Sequence, residues 1–324
     1  MALTIRNAIL HILNNDSRPF VFSEAELDID SEICEAFIQK HVRKLLNNPA
    51  VRTAVFIPES ELYSLLGEYQ NGLKYFKDVA FTLASRMDEI MNRFPSIPSC
   101  DMLIARVSHK SGEHLAVLQL HYQEVYVHKM GNADNQLVIQ NALSYTTGKV
   151  EFACLIGLDG VAMPISLLEK AVNDVLYFSG LFLECDSTPS KKEQVQLIDE
   201  VTVEFIEEHF ASDPAISARI KTAIVTEAES DDGYISMDNV ATQAFEQQED
   251  MKAQYVSTLR DAGVREDLPL TQRVVKQQFS TQRIKSDNGV DIRFPAQMIE
   301  DEELELTTNP DGTVTIVFKN LRMV

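Results

Sequence analysis

The stretch that most constrains the fold is VEFACLIGL, residues 150–158, an apolar run that contains one acid and is bounded by Gly148 and Gly160. An apolar run of this length, bounded by glycines, is typical of a buried strand. Two further apolar segments, MLIARVS and HLAVLQLHYQEVYVH, flank the turn residues Lys110-Ser111-Gly112 and predict a hairpin. The centre of the chain is therefore expected to be rich in strands.

Extended and helical patterns precede this region. Asp30-Ser31 can cap a helix that ends at Asn47-Asn48-Pro49. The expected buried stripe of that helix has helical spacing and consists of Ile33, Phe37, His41, Val42, Leu45 and Leu46. We also predict strands at LTIRNAILHIL and VRTAVFI, and helices over about 59–69 and 73–94, the second ended by Pro95.

The composition changes after Cys185, where Ser187-Thr188-Pro189-Ser190 indicates a domain boundary. Residues 191–262 contain 6 basic and 16 acidic residues in helical patterns. The sequence thus predicts an α+β fold. Residues 1–186 are expected to form a mixed domain with an antiparallel-rich sheet and helices, and residues 187–324 a helical, acidic segment that ends in two β-hairpins.

The chain carries 49 acidic and 29 basic residues, a formal charge of −20. Such a charge disfavours non-specific attraction to phosphate, so any nucleic-acid contact must rest on local patches. The four cysteines are far apart in sequence and read as reduced thiols of a cytoplasmic protein. The N-terminus lacks the features of a signal peptide, and no apolar run reaches the ~18 residues that span a bilayer, so no membrane partner is expected.

The sequence lacks the motifs of the common catalytic and cofactor sites. It contains no GxxxxGK[ST] loop, no GxGxxG after a strand, no GxSxG and no HExxH. Four histidines, His109, His114, His121 and His128, lie within twenty residues, but His121 and His128 would face opposite sides of one regular strand. We therefore expect no metal, no cofactor and no enzymatic activity. Tyr122 and Tyr126 would share a strand face, either packed or stacking bases.

The first of two acid-free basic stretches runs from Ala36 to Pro58 and contains Lys40, Arg43, Lys44 and Arg52. Lys40 and Lys44 are four residues apart and therefore share a helix face, beside Arg43. This face is either an ordinary solvated surface or a site of phosphate contact.

The second stretch, from Leu268 to Ser286, contains Arg273, Lys276, Arg283 and Lys285. The turn signal Asp287-Asn288-Gly289 follows it. A two-residue loop would scramble the apolar face, whereas a three-residue loop with Gly289 left-handed pairs Ile284 with Ile292 and Arg283 with Arg293. Opposed like charges destabilise a strand pair unless an anion lies between them, and either a neighbouring acid or a phosphate could be that anion.

A second hairpin follows around Pro310-Asp311-Gly312, with Leu304 opposite Phe318 and Leu306 opposite Ile316. We expect the two hairpins to form one small sheet with an apolar face under a helix. The outer edge of the second hairpin is acidic, with Glu300, Asp301, Glu302, Glu303 and Glu305. These acids are an alternative to phosphate, because they could neutralise the basic residues of the first hairpin.

Four segments, in this order, together resemble one bacterial family. They are IRNAILHIL, SRMDEIMNRFP, FSGLFLECDSTPSKKEQVQLIDEVTVEF and the closing GVDIRFPAQMI…ELELTTNPDGTVTIVFKNL. The chain resembles, over nearly its whole length, the nucleoid-associated protein family of the NdpA/YejK type. The resemblance implies a cytoplasmic, nucleoid-associated protein that binds double-stranded DNA without sequence preference or catalysis. Single-stranded nucleic acid is a further candidate ligand.

The resemblance supplies no DNA-contact motif, so the expected contacts follow from charge alone. They are Lys40, Arg43, Lys44, Arg52, Arg273, Lys276, Arg283, Lys285 and Arg293. In the alternative hypothesis, the acidic helices of residues 191–262 dock a DNA-processing protein and the association with DNA is indirect. A homodimer, which would double weak phosphate patches, is left open.

Overall fold

The computed structural model describes residues 3–14, 22–130, 135–143, 150–210, 213–229, 234–246, 248–265, 272–285, 289–295, 297–301, 303–309, 311 and 313–321. The chain divides into two compact units, Met1–Thr188 and Pro189–Val324, called here the N-terminal and C-terminal units. Among the described helices, none combines the length and the hydropathy needed to cross a bilayer.

The N-terminal unit is built on a seven-stranded sheet with the order β1-β3-β4-β7-β8-β2-β9, whose described pairs are antiparallel. Its elements are β1 (Thr4–Leu13), α1 (Glu32–Leu46), β2 (Arg52–Phe56), α2 (Glu61–Gln70), α3 (Phe76–Arg93), β3 (Cys100–His109), β4 (Gly112–Leu120), β5 (Gln123–Met130), β6 (Asn135–Ala142), β7 (Phe152–Gly157), β8 (Ile165–Leu168), a π-helical turn (Phe178–Leu183) and β9 (Cys185–Ser187). Mixed helices and a mostly antiparallel sheet confirm the predicted α+β class.

Helices cover both faces of this sheet. On one face, Ile38, Val42 and Leu45 of α1 pack on the alternate strand residues Leu103 and Ala105. On the other face, α2, α3 and the π-helical turn pack on the intervening residues Met102 and Ile104. Because β7 lies inside this sandwich, every residue of Phe152–Gly157 is buried, as the apolar run predicted.

The stripe predicted for α1 is correct in its centre and wrong at its start. His41, Val42 and Leu45 are buried, but Ile33 is 84% exposed, and Ile38 takes the inward position instead. At about 100° per residue, Ile33 lies about 140° around the helix from Ile38, which places it outside the face that meets the sheet.

The predicted strand HLAVLQLHYQEVYVH is in fact two strands. β4 ends at Leu120, and β5 begins at Gln123 and pairs with β6 in a separate two-stranded sheet. The residues after Leu120 leave the large sheet, and the pairing of β4 with β7 ends at Gln119 and that with β3 at Leu120. His121 and His128, like Tyr122 and Tyr126, therefore do not lie on one regular strand, and the expected common face of the two tyrosines is wrong.

The C-terminal unit combines a helical core with two hairpins. Its elements are α4 (Lys191–Phe210), α5 (Pro214–Glu229), α6 (Met237–Phe245), α7 (Glu249–Asp261), α8 (Gln272–Phe279), β10 (Thr281–Lys285), β11 (Asp291–Pro295), α9 (Gln297–Glu300), β12 (Leu304–Thr308) and β13 (Val314–Phe318). Phe205, Phe245 and Tyr255 meet edge-to-face in its core.

Both predicted hairpin registers are confirmed where they are described. Ile284 lies opposite Ile292 and Arg283 opposite Arg293, and Gly289 has a left-handed φ of 90°. In the second hairpin, Leu304 lies opposite Phe318 and Leu306 opposite Ile316. Residues 286–288, 310 and 312 lie outside the described residues. The prediction that the two hairpins form one small sheet is wrong, because each hairpin forms its own two-stranded sheet. β10 packs beside α8, whereas β12 packs against α5 and α9.

Candidate nucleic-acid interface

The basic residues of α1 lie on its outer side. Lys40 and Arg43 are exposed and Lys44 is half-buried, and we call these three residues the α1 cluster. Arg43 Nη2 donates a hydrogen bond of 2.8 Å to Gln39 Oε1, and Gln39 Nε2 in turn donates to Leu3 O at 3.1 Å. Because the partner of Arg43 in this bond is a neutral amide, the bond orients the guanidinium without cancelling its charge.

The cations of the α1 cluster act on the buried ring of His41. Burial lowers the pKa of His41, the hydrogen bond between its Nδ1 and the Phe37 carbonyl (2.9 Å) opposes that change, and Lys44 and Lys40 lower the pKa further. Arg43 and Lys44 also lie in the last helical turn, where cations favour the negative end of the helix dipole. The helix dipole therefore accounts for part of the placement of Arg43 and Lys44.

Arg52, the fourth basic residue of the first stretch, has a structural role in the sheet. Its Nη1 lies 3.9 Å from Oε1 of Glu169, whose side chain is completely buried. The other carboxylate oxygen of Glu169 accepts a 3.0 Å hydrogen bond from the Ser179 amide. A buried carboxylate requires such compensation, so the charge of Arg52 is largely committed inside the protein.

On the first C-terminal hairpin, the predicted pair of opposed arginines has an acid beside it. The Arg283 guanidinium binds Asp291 through both of its carboxylate oxygens, with 2.7 Å between Nε and Oδ1. Asp291 and Arg293 are two residues apart and therefore share a strand face. The sequence left open whether a neighbouring acid or a phosphate lies beside Arg283. In the structure, the neighbouring acid is Asp291 of the same hairpin.

The remaining basic residues of the C-terminal unit differ in their partners. Lys276 forms an ion pair with Glu229. Arg273 and Arg293 are exposed, and among the described residues neither has a carboxylate partner. The side chain of Lys285 lies outside the described atoms. On the second hairpin, Glu305 forms an ion pair with Lys319, the residue that follows β13.

Sequence reasoning missed a cleft of about 500 Å³ on the face of the sheet that carries α2 and α3. Lys74, Tyr75 and Lys77 line it, and Tyr75 is 81% exposed. Arg106 also lines it, stacked 5.8 Å from the Tyr69 ring centroid. The segment LKYFK, in which two lysines flank two aromatic residues, is the signal that could have indicated this surface, since an exposed ring such as that of Tyr75 beside cations suits unpaired bases.

The clustered histidines take part in local structure. His114 contacts the Gly112 carbonyl at 3.0 Å and the Ser111 hydroxyl at 3.2 Å, and burial lowers its pKa. His121 Nδ1 lies 3.2 Å from the Ser99 carbonyl oxygen. Within the part of the chain that the structure describes, no three His, Cys, Asp or Glu side chains converge on a point where a metal ion could bind.

The family model described as nucleoid-associated protein YejK matches residues 9–323, which span both units. The chain belongs to this family. No curated protein matches the chain in sequence. Membership in the YejK family assigns a nucleoid-associated role, and it confirms the family resemblance drawn from the four segments.

Proposed function

We propose that this protein binds double-stranded DNA through its phosphates and without sequence preference. The observation that carries the proposal is the α1 cluster, with three cations within five residues on the outer side of a helix and no acid between Ala36 and Pro58. The nucleoid-associated role of the family supports the choice of DNA as the ligand.

The chemistry of the α1 cluster favours phosphate over base edges. Lysine and arginine side chains on the outside of one helix can reach backbone oxygens, which carry the same charge at every base pair. The formal charge of −20 means that most of the protein surface repels DNA. Binding is therefore expected to be confined to small basic areas and to weaken steeply as salt is added.

In the C-terminal unit, we propose Arg273 and Arg293 as further phosphate contacts because both are exposed. Lys285 remains a candidate because of its charge, although Asp291 lies opposite it in the ladder. Arg283, Lys276 and Arg52 are weaker candidates, since each shares its charge with an acid of the same chain. They would contact DNA only by exchanging that acid for a phosphate.

A salt series with purified protein tests the proposal. Two duplexes of unrelated sequence should bind with equal affinity, and log K should fall linearly with log salt. For three to five phosphate contacts, the slope should lie between about −2.7 and −4.5. Absence of binding at low salt would overturn the proposal. It would favour the indirect route, in which the acidic helices of the C-terminal unit dock a DNA-processing protein.

The basic hairpin can be tested by removing its own acid. Asp291→Asn releases Arg283 beside Arg293, and one additional phosphate contact should tighten binding by up to about tenfold at ~0.1 M salt. Asp311→Asn on the second hairpin is the matched control, because it changes the charge equally at an exposed position. Equal effects of the two variants in a fluorescence-anisotropy titration would exclude the first hairpin as a contact.

A further inference from the structure

The β5–β6 hairpin presents a bare apolar face. Tyr126 lies opposite Ile139, and Leu137 follows on the same face, with exposed fractions of 73%, 59% and 69%. Among the described strands, β5 and β6 pair only with each other. An isolated two-stranded hairpin is marginally stable in water, so this one is expected to gain stability from a partner.

The two edges of the hairpin differ in chemistry. β6 reads NQLVIQNA and contains no charge, no proline and no glycine. Exposed edge strands normally carry such residues because they prevent pairing with other strands. β5 reads QEVYVHKM and carries Glu124 and Lys129. The edge of β6 is thus open to strand pairing, whereas that of β5 is protected.

The sequence of β6 is nearly palindromic. Around Val138, it reads Asn-Gln-Leu-Val-Ile-Gln-Asn from residue 135 to residue 141. Suppose that two copies of β6 pair antiparallel with Val138 at the centre. Leu137 of each copy then lies opposite Ile139 of the other, and Gln136 lies opposite Gln140. Apolar residues meet apolar residues, and amides meet amides that can bond to each other.

We infer that β6 is a self-association strand, which pairs with β6 of a second copy about a two-fold axis through Val138. The product is a four-stranded sheet in the order β5-β6-β6-β5. A second copy is the natural occupant, because a two-fold interface requires a self-complementary surface and the palindrome supplies one. The pairing also leaves the charged β5 strands at both outer edges, so that assembly stops at the dimer. The interface does not depend on DNA binding.

Charge placed at the symmetry axis tests this register. The wild-type chain should sediment as a dimer without DNA. Val138→Lys and Val138→Asp should each associate roughly 100-fold more weakly, because like charges then meet at the centre of the interface. An equimolar mixture of the two variants should dimerise again, since Lys then lies opposite Asp. Val317→Lys, at an exposed position of the separate β12–β13 hairpin, should remain dimeric.

Recovery of the dimer in the mixture shows that the weaker association of each variant alone comes from charge repulsion and not from misfolding. Circular dichroism of each variant checks separately that it is folded. A wild-type chain that is monomeric up to its solubility limit would overturn the inference. So would a failure of the mixture to dimerise when both variants are folded.

A cross-link gives an independent check. Val138→Cys places thiols directly opposite each other, at a separation close to that of a disulfide, so oxidation should link the dimer. Gln140→Cys lies opposite Gln136 of the other copy and should link much less. Three of the four native cysteines are buried, which leaves only Cys34 as background. Equal linking by both variants would contradict the proposed register.

Discussion

Replacing Lys40, Arg43 and Lys44 together by glutamine should weaken duplex DNA binding by about 10²–10³-fold at ~0.1 M salt. Each phosphate contact contributes about 0.9 to the slope of log K against log salt, and three contacts are removed. The slope should therefore become shallower by about 2.7. Anisotropy titrations of the wild type and the variant across one salt series measure both quantities.

The control must remove the same charge elsewhere. Arg93, Lys110 and Lys192 are all exposed and lie outside the proposed contacts. Their replacement by glutamine should change the affinity by less than about threefold, because a cation that contacts no phosphate releases no counterion when DNA binds. If both triple variants lost affinity equally, binding would depend on net charge, and the α1 cluster would not be a site.

Unfolding of the triple variant is not expected to cause this loss of DNA affinity. Removing Lys40 and Lys44 relieves a like-charge pair at i,i+4, while removing Arg43 and Lys44 loses a favourable interaction with the helix dipole. Each effect is a few tenths of a kcal/mol and they oppose each other. Titration of His41 offers a direct check, because its pKa should rise when the two neighbouring lysines are neutralised.

The hairpin registers could be predicted from the sequence because each depends on a local rule. Alternation sorts Ile284 and Ile292 onto one face, and Gly289 supplies the left-handed residue of the turn. The partner of Arg283 did not follow from the register. Asp291 lies directly opposite Lys285, and only the reach of a long side chain to a diagonal neighbour brings it to Arg283.

Other parts of the site depend on contacts between distant segments. Arg52 meets Glu169 because β2 pairs with β8, and no local pattern specifies that pairing. The break between β4 and β5 was missed for a related reason. Apolar and polar residues alternate through His121 and Tyr122 as in a continuous strand, but the pairing of β4 with its neighbours β3 and β7 ends at Leu120 and Gln119. Spacing along α1 was enough to predict its basic outer face, since one helix contains the whole cluster.

A second large effect concerns Arg86 of α3, which the sequence did not single out. Its Nε donates to the Phe182 carbonyl and its Nη2 to the Leu181 carbonyl, both at 2.9 Å. Nη2 also lies 2.5 Å from Glu184 Oε1, and Nη1 lies 3.2 Å from Glu61 Oε2. The Arg86 guanidinium thus donates hydrogen bonds to two carbonyls at the end of the π-helical turn and forms an ion pair with Glu184, which follows the turn.

Arg86→Met should lower the free energy of unfolding by about 2–4 kcal/mol, because it removes the donor of two carbonyls and the cation beside the half-buried Glu184. The Glu184 carboxylate then keeps the hydrogen bond from the Glu61 amide. For a unit of this size, the melting temperature should fall by about 5–15 °C. Arg93→Met on the same helix is the matched control. It breaks only an exposed pair with Glu89 and should cost less than about 0.5 kcal/mol. A similar loss in both variants would indicate a general effect on α3.

The pH dependence separates the charge of Arg86 from its packing. Burial acts to raise the pKa of Glu184. The hydrogen bond and charge of Arg86, together with hydrogen bonds from the Glu61 amide and the Ser60 hydroxyl, outweigh burial, and the net pKa is lowered from 4.5. A carboxyl with a depressed pKa stabilises the fold above its unfolded pKa, and this contribution is lost as pH falls through the folded value. Denaturation curves at pH 7 and pH 3 should therefore show a smaller difference between wild type and Arg86→Met at pH 3. An unchanged difference would mean that Arg86 acts through its carbonyl contacts and packing alone.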